Sequence, residues 1–385
     1  MNNASQSRNL LFLAASVAVL AACGAEEISS PGSGGNISIT NNTPAPPPPP
    51  PPPVSTLVTP AAGCPTIDDS AGLTDLGTIS GPTGTYRNCG LPSRITRSSK
   101  LTKIPGLLYS LPGRVDVGTD LGATGGSGVT LTIDPGVVIF GATGVSWLAV
   151  NRGNRISAVG TATQPIVFTS RDNVLGLVTD DSQGQWGGVV LLGRAPITDC
   201  TVAPNAPPGS ATCERQTEGA TDPAYYGGAT PTDNSGTMKY VQIRYSGYVL
   251  SGNSELQALT TGGVGSGTVL EYIQSHNSSD DGLEFFGGTQ NAKRFVITGA
   301  DDDTLDLDTG YKGLIQYVIG VQKSSGNADS MIELDSTNAL ESQTPRTWMR
   351  VANFTLIHKN AATGNGAAMR FRGGADVTML NGVLV

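Results

Sequence analysis

The chain has 385 residues, including 51 glycines and 25 prolines; only 14% of residues are charged, and the formal net charge is −8. An acidic chain with few lysines and arginines argues against a nucleic-acid binder, because phosphates need a basic patch. High glycine with modest hydrophobicity points to many tight turns between short strands.

Residues 1–22 read as a signal peptide, with Arg8 in a polar start and an apolar run from Leu10 to Ala22 that is too short to span a bilayer comfortably. The run ends in Leu20-Ala21-Ala22-Cys23, which resembles the lipobox of bacterial lipoproteins and implies acylation at Cys23. Gly24 after that cysteine, rather than Asp, implies delivery to the outer membrane, where several acyl chains hold a protein stably. Residues 23–62 read as a Gly/Ser/Pro-rich tether, whose eight prolines Pro46 to Pro53 make a stiff rod of roughly 25 Å.

Four cysteines remain after Cys23: Cys64, Cys89, Cys200 and Cys213. An even count in an exported chain suggests disulfides. Three pairings are open, of which the nearest-neighbour one, Cys64 with Cys89 and Cys200 with Cys213, closes two local loops. Cys-x-x-Cys spacing is absent, which argues against zinc.

Residues 63–114 are expected to cap a solenoid that starts near Val115 and runs to the end of the chain. Val129-Thr-Leu-Thr-Ile133 alternates, Asp134-Pro135-Gly136 turns, and Val137 to Phe140, Leu148 to Val150, Ile156 to Ala158 and Ile166 to Phe168 follow as short strands. The segment from Arg194 to Thr237 breaks this pattern. It holds Cys200, Cys213 and the pair Tyr225-Tyr226, and a loop of that length is usually functional or disordered. Exposed there, Tyr225 and Tyr226 would stack on sugar rings or cover a coil edge.

From Ser278 to Gly310 the sequence repeats at an offset of 22. Asp280 matches Asp302, Asp281 matches Asp303, Leu283 matches Leu305 and Glu284 matches Asp306. The same offset places Ile273, Phe295 and Tyr317 in one column and Ser275, Ile297 and Ile319 in the next. Units of this size cannot bury an apolar face alone and must stack. The predicted fold is therefore all-β, a right-handed single-stranded parallel β-helix, with coils about 4.8 Å apart. Strand alternation turns Leu283, Leu305 and Ile332 inward and Glu284, Asp306 and Glu333 outward, with Glu333 brought into column by a five-residue insertion.

The stacked acids Asp280, Asp281, Glu284, Asp302, Asp303, Asp306 and Asp308, with Asp301 beside them, have three readings. They form a Ca²⁺ site, a carboxyl group of raised pKa for acid or base work, or a solvated face. Arg370 and Arg372 alternate outward on a later coil, where they would neutralise the acidic columns. His276 and His358 lack a partner constellation and read as turn or surface histidines. The chain stops at Val385 without a polar cap, so the sequence is expected either to be truncated inside the solenoid or to leave an edge that pairs with something else.

Gly160-Thr-Ala-Thr-Gln-Pro-Ile-Val-Phe-Thr-Ser170, Gln185-Trp-Gly-Gly-Val-Val-Leu-Leu-Gly-Arg-Ala-Pro-Ile197 and Asp280-Asp-Gly-Leu-Glu-Phe-Phe-Gly-Gly288 resemble a group of secreted bacterial β-helix lipoproteins and surface proteins on a scaffold shared with pectate-lyase-like enzymes. The resemblance implies the fold and an exported location, without an established reaction. The Gly-His-Gly and Arg-x-Lys of polygalacturonase-like sites are missing. The expected function is that of an outer-membrane-anchored surface lipoprotein with a non-enzymatic binding or structural role toward glycans, matrix or proteins. The alternative is a polysaccharide lyase or glycoside hydrolase acting on acidic polysaccharide through the carboxylate ledge. Expected partners are the membrane, through the lipid, and polysaccharide or a surface protein; the only cofactor expected is Ca²⁺.

Overall fold

A computed structural model describes residues 57–252, 254–336, 340–359 and 367–385. The expected signal peptide, Cys23 and most of the expected tether lie outside the described residues. The chain is a parallel β-helix with two stacks of strands, in which each later coil gives one strand to each stack while the early coils give two shorter strands to one of them. One stack consists of short strands, from Arg94–Ile95 and Arg114–Val117 through Trp147–Val150, Gly188–Leu192, Leu259–Gly262, Leu283–Phe286, Asp306–Asp308 and Ile332–Leu334 to Met369–Phe371. The other carries the longer strands Gly236–Arg244, Val269–His276, Asn291–Thr298, Leu314–Val321, Trp348–Ile357 and Asp376–Leu384.

Inward residues of the short strands form apolar columns. Leu148, Val189, Leu259 and Leu283 make one, and Phe285, Leu307 and Leu334 continue another, all essentially excluded from water. Each such side chain contributes roughly 1.5–3 kcal/mol by leaving water, which a single coil could not achieve because it would expose both of its faces.

Parallel pairing begins before Val115. Gly84–Gly90 already pairs with Leu107–Leu111, and Arg94–Ile95 with Arg114–Val117, so the first coils lie within the segment expected to be a cap. An antiparallel strand, Thr74–Gly81, closes that edge. The first disulfide, Cys64 to Cys89, fastens it with Cα atoms 5.7 Å apart.

The long-strand columns need a correction. Ile273 pairs with Phe295 and Ser275 with Ile297, but Phe295 then pairs with Val318 and Ile297 with Gly320. That coil is one residue longer than 22, and a one-residue slip reverses which side chains face inward. Tyr317 and Ile319, expected in the columns of Phe295 and Ile297, which are buried, are instead 45% and 48% exposed.

The segment after Arg194 is ordered. The disulfide between Cys200 and Cys213, with Cα atoms 4.8 Å apart, closes it, and Arg215–Gln216 pairs with Tyr225–Tyr226. Fully buried Arg152 binds Asp120 at 2.5 Å, Glu214 at 2.6 Å and the Gly227 carbonyl at 3.1 Å, pinning this insert to the coils. Tyr226 is buried against Phe286, with ring centroids 6.0 Å apart, and over Gly262, where a Cβ would collide with its ring. It is therefore packing, not a free sugar platform, and Tyr225 is only half-exposed.

Candidate metal centre

The repeat builds one continuous ladder on the outer face of the short strands. Thr260, Glu284, Asp306, Glu333 and Arg370 are successive rungs of it. Immediately before each strand the chain turns, and the turn acids form a second ladder. Asp281 accepts a hydrogen bond from the Asp303 amide at 2.9 Å, and Asp303 accepts one from the Ser330 amide at 2.6 Å. These backbone bonds fix the vertical spacing of the acids, coil upon coil.

The ladders face a cleft of about 310 Å³. Its far wall does not come from the repeat: Glu218 stands on the disulfide-tied insert and Glu255 on the short strand Ser254–Glu255. Ten carboxylates, the eight of the coils with Glu218 and Glu255, line the cleft against two arginines. Several of these acids are less solvated than a plain outer face would leave them, although Asp302 stays exposed. Asp281 is 4% exposed, Asp303 4%, Glu333 5% and Glu284 7%, because the insert covers what the coils alone would leave open.

Burial and like charge shift these groups in one direction. Asp280 is pushed up to about 7, by burial first and then by Asp302; Asp303 is pushed up to about 9, by burial and then by Asp302 and Glu333. Asp302 rises to about 6 by burial and then Asp329. Asp281, Glu284 and Asp306 are held well above the usual carboxylate range, chiefly by burial and then by one another and their acidic neighbours.

Three sets of carboxylates converge: Asp280 with Asp281 and Asp302; Asp281 with Glu284 and Asp306; and Asp302 with Asp303 and Asp329. In each set one oxygen per residue lies within 4.8 Å of the others. Two oxygens on one Ca²⁺ at about 2.4 Å can be no farther apart than about that distance. An all-oxygen donor set with neither His nor Cys suits a hard divalent cation rather than zinc or copper. Glu284 has neither a hydrogen-bond nor an ion-pair partner among the described residues, and Oδ1 of Asp306 is buried without a hydrogen bond. A buried polar atom without a partner, as Asp306 Oδ1 is, is costly.

Other residues fall elsewhere. Glu333 is tied to Arg370 at 3.2 Å and Arg372 at 2.5 Å, and Arg372 also reaches Asp335 at 2.9 Å, so the arginines close one end of the cleft. Asp308 joins no convergent set; burial lifts it to about 6, while its neighbouring Thr309 amide, Arg215 and Arg372 pull it down. Asp301 turns away to Gln183 and the Asn327 amide. His276 does not line the cleft; its Nδ1 meets Thr298 Oγ1 at 2.8 Å and its ring lies edge-on to Tyr245. His358 does not line it either. Of the residues the sequence did not single out, Asp329 sits 27 positions after Asp302, the same shift that aligns Glu333 with Asp306. Glu218 and Glu255 carry no such signal, being outside the repeat.

No curated protein and no solved structure matches this chain. A family model described as a pectate-lyase like beta helix domain matches residues 106–385, which takes in every short strand that carries an acidic rung. With that match over well more than half of its length, the chain belongs to the family of pectate-lyase-like β-helix domains.

Proposed function

We propose that this protein is an exported, lipid-anchored β-helix whose acidic cleft binds Ca²⁺ and, through the bound ion, an acidic polysaccharide, in a binding rather than a cleaving role. The observation that carries the reading is Glu284, buried, unpartnered and stacked between Thr260 and Asp306. Ten carboxyl groups, several of them kept protonated by burial, face two arginines already paired to Glu333, so a polyanion gains little attraction in the cleft unless a cation is bound there. An ion held by three protein oxygens keeps positions open for further oxygens, and a uronate carboxylate can supply them. The anchor is Cys23 at the outer membrane; two formed disulfides fit an oxidising compartment.

A non-cleaving role is favoured because the two arginines are held in ion pairs and no His or Lys lines the cleft among the described residues. One observation favours cleavage: Asp280, pushed up to about 7, is poised to hand on a proton at neutral pH. The test is retention of the protein on polygalacturonate and alginate, with Ca²⁺ and with chelator, together with a watch for unsaturated or reducing products. Retention only with Ca²⁺ and without products is the expected result. Retention that ignores Ca²⁺ overturns the binding reading, and products that disappear in a folded Glu284→Gln variant replace it with the enzymatic one.

A further inference from the structure

A second groove lies on the long strands, away from the acidic ladder. It begins where two short strands of the early coils, Arg155–Val159 and Ile166–Ser170, give way to the one long strand Gly236–Arg244 that pairs with both. Val159 pairs with Lys239 and Ile166 with Val241, so Tyr240 stands opposite the connecting residues 160–165. At that point the long strand bends, and every later coil repeats the bend. Tyr240, Tyr272, Arg294, Tyr317, Asn353 and Asn381 occupy it in succession, all in the left-handed region with φ between 50° and 64°.

Asparagine tolerates this conformation; bulky side chains rarely adopt it. The last two coils use Asn353 and Asn381, which hydrogen-bond each other through their side chains. The four preceding coils use three tyrosines and an arginine instead, so the bend itself does not require them. Tyr240 and Tyr272 stack with centroids 4.3 Å apart, and the Arg294 guanidinium lies 4.8 Å from the Tyr272 ring and 5.3 Å from that of Tyr317. Strained positions filled with functional side chains are where binding sites are found.

Beside this column lies a groove of about 210 Å³, closed at one end by Thr161 and Pro165 and lined along its length by Tyr240, Tyr272, Gln242 and Gln274. Gln242 pairs in register with Gln274, two positions beyond the tyrosine rung on each strand. The groove thus offers the same pair of groups, a phenol and a carboxamide, once per coil and about 4.8 Å apart. Carboxamides donate and accept, as hydroxyls do. At its edge Glu271 meets Lys239 at 3.1 Å and also pairs with Arg294, which itself lines the groove, so one positive charge is left over there.

The geometry points to a binding groove for a neutral polysaccharide chain, lying along the helix axis with about one sugar per coil, its hydroxyls met by the edges and hydroxyls of the mutually stacked tyrosines and by the glutamine carboxamides. A polycation finds no complementary charge there, and a polyanion finds only one surplus positive charge, against the row of phenols and carboxamides that suits hydroxyls. This groove and the cation-bridged cleft lie on different strand stacks, so the protein would hold two kinds of glycan at once.

The test is affinity electrophoresis of the full chain through gels containing soluble β-glucan, xylan or galactomannan, with chelator throughout so that the acidic cleft is silent. Retardation by at least one neutral polymer is expected, weakened tenfold or more in Tyr272→Ala and in Gln274→Ala. Because removing a stacked ring can disturb the bend, Gln274→Ala and Gln242→Ala decide the matter if Tyr272→Ala does not fold. An absence of retardation in all three polymers, or folded glutamine variants that migrate as the parent does, overturns the assignment. Retardation by polygalacturonate alone under chelator overturns it too.

Discussion

Raising the pH of the cation-free protein from 5 to 6 should destabilise it. Asp280 and Asp303 lose their protons near 3.8 when unfolded but keep them in the fold up to about 7 and about 9. Their pKa values are raised on folding, so the stability they contribute is complete below 3.8 and is lost as the pH climbs through the folded values. Between pH 5 and 6 the fold holds both protons and the unfolded chain neither, which costs ~1.4 kcal/mol per proton per pH unit, or ~2.7 for the two. His276, whose pKa is lowered by burial and then by Arg244, acts in the opposite sense but moves at most one proton. Asp281, Glu284 and Asp306 add to the fall. For roughly 300 ordered residues unfolding with an entropy of about 2 cal/mol/K each, 2.7 kcal/mol is ~4 °C in Tm. The assay is a set of melting curves in chelator at pH 5.0, 5.5 and 6.0, repeated with excess Ca²⁺. The ion binds the ionised form, so 100 times its Kd adds about 2.7 kcal/mol and removes the downward slope. A midpoint that stays level or rises with pH in chelator would refute the reasoning, because it would mean the carboxylates are already ionised in the fold.

Two further outcomes follow from other parts of the chain. Leu305→Asp places a charge at a position 1% exposed in the apolar column, and should cost about 3 kcal/mol or more, read as a lower denaturant midpoint; an unchanged midpoint contradicts the inward assignment of Leu305. Cys23→Ser should leave an unprocessed precursor lost from the outer-membrane fraction, and a variant that still fractionates there after a high-salt wash shows that lipid is not the anchor.

The acidic ladder was legible in the sequence because its spacing is local. Glu284, Asp306 and Glu333 follow from an offset of 22 and one five-residue insertion, and pairing places them on successive rungs. The same offset failed on the long strands, where one extra residue before Leu314 moved Val318 into the place assigned to Tyr317. Depth was not legible either. Glu284 is outward by alternation yet 7% exposed, because a covering insert with no periodic relation to the coils supplies Glu218. That insert also turns Tyr226 inward, which adjacency to Tyr225 and two glycines gave no reason to expect. The left-handed column was invisible for a related reason: three tyrosines and an arginine occupy a backbone conformation their residue types argue against.

The most direct measurement of the central claim is a calorimetric Ca²⁺ titration of the parent protein and of Glu284→Gln, both shown to be folded. Saturable binding with proton release in the parent, weakened at least tenfold in the variant, is the predicted result, since binding must displace the protons that burial holds on these acids. Heat of dilution alone in the parent, or equal affinity in the two proteins, would contradict a cation site built around Glu284.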